Sequence, residues 1–211
     1  MLTLGISTSS GQFIFALGEG DRLIFNSGDY EPDKDIGAIM QLALDTSRRS
    51  VHEIRRIIVD IGPGGTSRVR TGVSFANSLG FSLGIGVCPV SFFELTGTLL
   101  ETRHKLPVIT SANSLKGNAY IGLFNNDEPL STRFGFIHEI LPHWVAHLNA
   151  FCVCGPHSEK IQAMFPDKKI VADDDLADIA RVLISSCSRF AERELKFPHL
   201  AFPITEKHFL S

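Results

Sequence analysis

Two histidines near the middle of the chain have a spacing that could bind a metal ion. In the segment PHWVAH, His143 and His147 are four residues apart, so on a helix their imidazoles would lie on one face. No glutamate follows the first histidine, as it does in the His-Glu-x-x-His motif of metalloproteases. An exposed amphipathic helix explains the pair more simply. We therefore predict no bound metal, and the role of His143 and His147 stays open.

Thiols and carboxylates provide few candidates for catalysis. Cys152 and Cys154 are separated by one residue in an apolar run, so on a strand they would share a face as core thiols. With Cys88 and Cys187 they are too few for a secreted disulfide scaffold. The aspartates at 173–175 precede a predicted helix, whose dipole they would favour. No Gly-x-Ser-x-Gly elbow occurs, and we predict no catalytic residue.

A glycine-rich turn joins the most apolar strand to a helix. The strand begins at Ile57, the turn is Gly62-Pro63-Gly64-Gly65, and helical spacing runs from Val69 to Leu83, with Thr66 or Ser67 as the predicted N-cap. Such a turn could direct its amides toward an anion. Neither a Gly-Lys-Ser/Thr sequence nor Gly-x-Gly-x-x-Gly is present, so we favour a structural turn.

One face of this helix consists of small residues. Gly72, Ala76, Gly80 and Gly84 follow one another at intervals of four. An interior glycine costs about 1 kcal/mol relative to alanine, which suggests that another backbone approaches this face closely. Packing against the protein's own sheet and packing against a helix of another subunit both satisfy this requirement. Arg68, Arg70 and Asn77 argue against a membrane span.

Composition excludes several classes of protein. The chain has 211 residues, of which 44% are apolar and 20% charged, enough for a full core in one domain or two small lobes. A net charge of −3 and a pI near 6.2 argue against strong direct binding to nucleic acid. The N-terminus lacks the pattern of a secretory signal, and no apolar run is long enough to cross a membrane. We expect a cytoplasmic protein.

The predicted elements form two similar series. The first has strands at 2–7, 12–17 and 22–27, a helix at 33–48, the strand from Ile57, the glycine-striped helix, a strand at 86–90 and a helix at 91–103. From Pro107 a second meander begins, followed by a helix at 138–150, a strand at 151–154, helices at 158–165 and 175–191, and an extended tail. This order resembles the ribonuclease-H-like lobe of actin, hexokinase and Hsp70. We predict an α/β protein with lobes at 1–106 and 107–211, the second reduced.

The glycine turn resembles the signature of the bacterial TsaB (YeaZ) family, Gly-Pro-Gly-Ser-Phe-Thr-Gly-Leu-Arg-Ile-Gly. The chain keeps Gly62, Pro63, Gly64, Arg70 and Gly72 of this motif, and it departs from the motif at Gly65, Thr66, Arg68 and Thr71. The resemblance implies an actin-like (ASKHA) fold and a non-catalytic subunit of the complex that makes threonylcarbamoyladenosine in tRNA. It also implies two partners, a TsaD-like catalytic subunit and a TsaE-like ATPase.

The same resemblance implies where a partner would bind. The family's subunit contact uses the first two long helices, which predicts an interface, for a TsaD-like subunit or a second copy, at Ile36, Ile39, Met40, Ala43, Gly72, Ala76, Gly80 and Gly84. The small-residue stripe is suited to a close helix crossing.

Two acidic positions of the family are changed in this chain. The family has an aspartate where this chain has Ser7, and another where it has Asn113. In the actin-like superfamily such carboxylates hold the metal that accompanies a nucleotide, so we predict a protein that is not an enzyme and has no cofactor. A homodimeric paralogue outside tRNA modification and a small-molecule kinase of this fold stay as alternatives, and residual nucleotide binding stays open.

Overall fold

A mixed sheet organises the N-terminal part of the chain in the computed structural model, which describes residues 1–11, 13–30, 35–125, 128–191 and 193–209. Within these residues the sheet has five strands, β1 (Leu2–Ser7), β2 (Ile14–Glu19), β3 (Arg22–Asn26), β4 (Ile54–Asp60) and β5 (Val87–Val90). The order is β3-β2-β1-β4-β5, with the first three strands antiparallel and β4 and β5 parallel to β1. Every residue of β1 is buried, as expected of a strand covered on both faces.

Helices cover both faces of this sheet. On one face lie α1 (Ile36–Ser47) and α2 (Thr66–Leu83), whose buried residues join those of the strands in one hydrophobic core. The other face packs against α6 (Ile179–Ser185), which comes from the C-terminal third of the chain. A Cβ atom at Gly5 of β1 would lie 2.9 Å from Cβ of Leu183, so glycine permits this close approach. The short α7 (Cys187–Ala191) follows α6.

A second sheet repeats the topology of the first. Its described strands are β6 (Val108–Asn113), β7 (Ala119–Asn125), β8 (Glu128–Gly135), β9 (Ala150–Cys154) and β10 (Lys169–Ala172), in the order β8-β7-β6-β9-β10. Three antiparallel strands are again followed by two parallel ones. The accompanying helices are α3 (Phe92–His104), α4 (Ile137–Trp144) and α5 (Ser158–Met164). α4 and α5 are shorter than α1 and α2, as a reduced second lobe requires.

The compact units do not follow the predicted division at residue 106. The first unit comprises Met1–Phe92 and Ala177–Pro203, and the second comprises Phe93–Leu176 and Ile204–Ser211. The chain therefore returns to its first unit after completing the second sheet. The sequence pattern could not show this return, because the apolar face of α6 is compatible with either sheet.

Several element boundaries differ from those predicted. The helix predicted at 138–150 ends at Trp144, and Pro142 in its last turn removes the hydrogen bond to the His138 carbonyl. The helix predicted at 175–191 is divided at Ser186 into α6 and α7. The four-residue strand β10 was not predicted. Gln12 and Asp33, where a strand and a helix were predicted to begin, lie outside the described residues.

The C-terminal tail, which was predicted to be extended, contains a turn in which the His199 amide donates to the Lys196 carbonyl at 2.9 Å. Leu195 forms an isolated antiparallel bridge with Val87, and a single 3₁₀ turn at Glu206–Phe209 lies near the end of the described chain. Among the described residues, no helix combines the length and apolar character needed to cross a bilayer.

Candidate functional site

A buried carboxylate joins the ends of the two central strands of the first sheet. Asp60, the last residue of β4, has no exposed surface. Its Oδ2 accepts hydrogen bonds from Ser7 Oγ at 2.8 Å and from the Ser9 amide at 3.2 Å, and its Oδ1 accepts one from the Gly62 amide at 2.8 Å. Ser7 ends β1, which lies beside β4. The carboxylate therefore fastens the loop after β1 to the glycine turn after β4.

The environment of Asp60 makes it a structural group. Complete burial raises its pKa above the ordinary value of 3.8, and hydrogen bonds from Ser9, Gly62 and Ser7 oppose this shift. Both oxygens are occupied by donors of the chain itself, so a metal ion or substrate could reach them only after rearrangement. This role was not predicted from the sequence. The available signal was an acidic residue at the end of an apolar strand, where burial would demand hydrogen-bond partners.

The glycine turn is likewise committed to internal contacts. The Gly62 amide donates to Asp60, and the Gly62 carbonyl accepts from the Phe92 amide at 2.8 Å. The backbone of Gly62 has φ of 97°, which glycine adopts without strain. A Cβ atom at Gly64 would lie 2.7 Å from Cβ of Ser9, so this position also requires glycine. The prediction of a structural turn agrees with this geometry.

The start of α2 differs from the prediction. Its N-cap is Gly65, whose position provides no side-chain hydrogen bond, whereas Thr66 or Ser67 was expected to cap the helix. Three of the family-motif residues, Gly62, Pro63 and Gly64, form the turn. The other two lie on α2, where Arg70 is exposed and Gly72 is buried.

The small-residue stripe of α2 faces the protein's own sheet. A Cβ atom at Gly72 would lie 2.8 Å from Cγ2 of Thr8, and one at Gly80 would lie 2.9 Å from Cγ2 of Val87. Ala76 between them is fully buried. Gly84 is the C-cap, with φ of 65° and no atom within 4 Å of an added Cβ. Of the two arrangements considered for the stripe, the structure shows packing on the sheet.

The positions predicted as a partner interface are mostly inside the first unit. Ile39, Met40 and Ala43 of α1 belong to the same hydrophobic core as Ala76, and Ile36 is half-buried against it. The prediction therefore needs correction, because buried side chains present no surface to a partner. The amphipathic period identified the apolar face of each helix correctly, but that face meets the sheet.

The predicted histidine pair does not lie on one helical face. His143 is in the last turn of α4, while His147 follows the end of that helix, and both are exposed. Within the described residues, no group of three or more histidine, cysteine or acidic side chains could hold a metal ion. Asn113 is exposed at the end of β6.

The second unit contains a polar cluster that the sequence analysis did not predict. Asp173 Oδ2 lies 2.6 Å from His104 Nε2 and 2.8 Å from an Arg103 nitrogen, although Asp173 is 69 and 70 residues away from these two neighbours in the sequence. Asp174 accepts the Gly155 amide at 2.6 Å. Despite partial burial, hydrogen bonds from His104 and Arg103 lower the pKa of Asp173. The aspartates therefore join α3 and the loop after β9 to the end of β10. They were predicted to lie just before a helix and favour its dipole, but α6 begins only at Ile179.

The two neighbouring thiols are buried, as predicted. Cys152 is fully buried and Cys154 is 2% exposed, and neither forms a disulfide. Burial, reinforced by the nearby aspartates, raises the pKa of Cys152 to about 12 and raises that of Cys154 as well. Since the thiolate is the reactive form, this environment is unsuited to nucleophilic catalysis.

Comparison with solved structures identifies the fold. YeaZ from Pseudomonas aeruginosa is 18% identical, with a TM-score of 0.78 over 97% of this chain and 99% of that chain. An uncharacterized protein with similarity to peptidase YeaZ from Pseudomonas aeruginosa is 17% identical, with a TM-score of 0.78 over 97% and 98%. No protein-family model and no curated protein matches the chain.

The chain thus has the YeaZ fold along nearly its whole length. A protein with an actin-like ATPase fold and unknown function from Bacteroides thetaiotaomicron aligns with a TM-score of 0.41 at 10% identity, over 86% of this chain and 95% of that one. The predicted α/β class with two similar lobes is confirmed by the two five-stranded sheets, and the resemblance to the TsaB (YeaZ) family is confirmed at the level of fold.

Proposed function

We propose that this protein is a TsaB-like scaffold subunit, a cytoplasmic partner that supports threonylcarbamoyl transfer to adenosine in tRNA by a TsaD-like enzyme. The observation that carries the proposal is the extent of the structural match, 97% of this chain and 99% of YeaZ. Both units are therefore matched with no large insertion or deletion. The retained motif glycines support the proposal, because Gly62 has a left-handed backbone and a Cβ atom at Gly64 or Gly72 would clash with its neighbours.

The polar groups of the chain support a non-catalytic role. At the end of β1, Ser7 provides a hydroxyl that donates to Asp60, and at the equivalent end of β6 stands Asn113. These neutral side chains are weak ligands for the magnesium ion that accompanies a nucleotide, since Mg²⁺ prefers carboxylates and phosphates. The nearby carboxylate of Asp60 is buried and already accepts three hydrogen bonds from the chain, so it is not free to bind a metal ion. Nucleotide and metal would then be supplied by the partners.

The proposed partner contact uses the outward faces of α1 and α2. Gln41, Leu42 and Asp45 of α1 are exposed, as are Arg70 and Ser78 of α2. Helices whose inner faces are fixed on a sheet present their outer faces as a rigid surface, which lowers the entropic cost of binding.

Co-purification tests this proposal. The chain is co-expressed with the TsaD-like protein of its own organism, and the mass of the complex is measured by size-exclusion chromatography with light scattering. We expect a heterodimer that Leu42→Glu weakens and Leu115→Glu, at an exposed site of the second unit, does not. A stable homodimer that does not bind the TsaD-like protein would instead favour the homodimeric paralogue outside tRNA modification.

Titration with Mg-ATP tests the non-catalytic part separately. We expect weak binding and no hydrolysis by the purified chain. Micromolar binding with turnover would support the small-molecule kinase in place of the scaffold.

A further inference from the structure

We propose that the tail segment 194–202 and the outer face of α2 together form a binding surface for an amphipathic helix that carries apolar and acidic side chains and belongs to another protein. We call this the strap surface. It consists of Phe81, Phe197, Leu200 and Phe202, with Arg70, Lys196 and His199 around them.

The tail is held firmly against the first unit at both ends of this segment. The Leu195 amide donates to the Val87 carbonyl at 3.0 Å on β5, and Glu194 pairs with Arg56 at 3.3 Å. At the other end, the Asn77 side chain donates to the Ala201 carbonyl at 2.9 Å and accepts from its amide at 3.0 Å. Ala201 is 2% exposed. The strap is thus a fixed part of the surface that a partner would meet.

Between and beside these anchors, large apolar side chains face solvent. Phe81 of α2 is 64% exposed and Phe202 of the strap 69%, while Phe197 and Leu200 are nearly half exposed. The rings of Phe81 and Phe197 lie 5.6 Å apart. Leu200 and Phe202 flank Ala201, which is anchored at Asn77, one helical turn before Phe81. The strap thus brings Leu200 and Phe202 to the same part of α2 as Phe81.

The apolar area is large enough for a single helix as occupant. With each aromatic residue contributing about 200 Å² when fully exposed, the four side chains expose roughly 400 Å². An amphipathic helix binds through a few large apolar anchors, and these four side chains provide an apolar area of that size.

The charge around the patch favours an acidic partner. α2 contains no acidic residue, and Arg70 is exposed on the same line of the helix as Asn77 and Phe81. Lys196 and His199 are exposed on the strap. A second copy docking face to face would bring these basic side chains together, which is unfavourable, whereas acidic side chains would complement them.

The backbone favours a helix over an added strand. β5 is an edge strand, and at Val87 its edge is already used by Leu195. Pro198 removes an amide donor from the strap, and Pro203 removes another directly after it, so the strap is a poor template for a further strand. An incoming segment would bind through side chains, as a helix does in a groove.

The strap surface does not depend on the proposed function, because its partner is defined by its chemistry. The test uses the full chain in its native cells, with a photo-crosslinking phenylalanine at position 81 or 202 and, as a control, at Leu115, an apolar residue of the second unit that is 75% exposed. We expect adducts from positions 81 and 202 and none from position 115. Mass spectrometry should map each adduct to an acidic, amphipathic helix of another protein.

Charge reversal completes the test. Arg70→Glu combined with Lys196→Glu should lower the adduct yield about tenfold, while Arg70→Lys with Lys196→Arg should leave it unchanged. Circular dichroism of the purified variants checks that they fold. The inference would be overturned if no adducts form, or if adducts form only with a second copy of this chain or with nucleic acid. An adduct yield that charge reversal does not change would also overturn it. Lys196→Glu alone separates this inference from the proposed function, because Lys196 lies outside the proposed TsaD-like contact. An adduct yield that is unchanged in this variant, while the TsaD-like protein still binds, would overturn this inference and leave the proposed function intact.

Discussion

Gly80→Leu should destabilise the isolated protein. A Cβ atom at Gly80 would lie 2.9 Å from Cγ2 of Val87 and 3.1 Å from the carbonyl oxygen of Ile85, both closer than ordinary van der Waals contact. Leucine would add three further carbon atoms beyond that Cβ. The Ile85 carbonyl cannot retreat freely, because the Ile85 amide is bonded to the Gly80 carbonyl at 3.0 Å. The strain must therefore be relieved by moving α2 away from the sheet.

The expected loss is larger than the gain in helix propensity. Replacing an interior glycine by leucine favours the helix by somewhat under 1 kcal/mol. Overpacking a tight core contact costs about 1–3 kcal/mol, and a rigid backbone atom places this case at the upper end. We expect a net loss of about 2 kcal/mol, which for a chain of this size corresponds to about 4–8 °C in Tm.

Urea and thermal unfolding at micromolar concentration measure the effect. Ser78→Leu is the matched control, since Ser78 is exposed on the opposite side of α2 and should leave stability unchanged or slightly raised. A Gly80→Leu protein as stable as wild type but deficient in assembly would refute the reasoning. It would mean that the stripe faces a partner and that its packing on β5 has been misassigned.

Three further predictions concern groups inside each unit. Burial raises the pKa of Asp60 above 3.8, so the folded state holds the carboxyl proton more tightly than the unfolded state does. The contribution of this group to stability is therefore lost as the pH rises through its folded-state pKa. The stability of Asp60→Asn relative to wild type, measured by urea unfolding between pH 3.5 and about 8, should therefore increase with pH; an unchanged difference would contradict this. Asn77→Ala should raise the hydrogen-exchange rate of the Ala201 amide at least about fivefold, since a hydrogen bond contributes about 1 kcal/mol. Cys152 should react with a thiol reagent at pH 8 only as fast as the protein opens, because its pKa near 12 leaves about one thiolate in ten thousand; rapid labelling of the native state would argue against its burial.

The strands and main helices of the first unit could be predicted because their patterns are local. Apolar runs ended by glycine or polar residues located β1, β4 and β5, and helical spacing located α2. The orientation of the glycine stripe could not be predicted in the same way. The period shows which residues share a face, whereas the atoms they meet, such as Thr8 and Val87, come from other parts of the chain.

Long-range polar contacts account for most of what the sequence did not reveal. Ser7 and Asp60 are 53 residues apart, and His104 and Asp173 are 69 apart. From the sequence, Ser7 was interpreted as a position that has lost a carboxylate. The neighbouring strand β4 provides a carboxylate, Asp60, that is buried and hydrogen-bonded to Ser7. The strand β10 has only four residues and no alternation strong enough to distinguish it from a loop.

The modified nucleoside in tRNA is the most direct test of the scaffold role. Cells lacking their own TsaB-like subunit are supplied with this chain and its cognate TsaD-like partner, and threonylcarbamoyladenosine is measured by mass spectrometry of digested tRNA. A TsaB-like subunit restores the nucleoside, whereas Gly80→Leu restores less in proportion to the loss of folded protein. Normal expression of the folded chain and partner with no recovery of the nucleoside would contradict the proposed function.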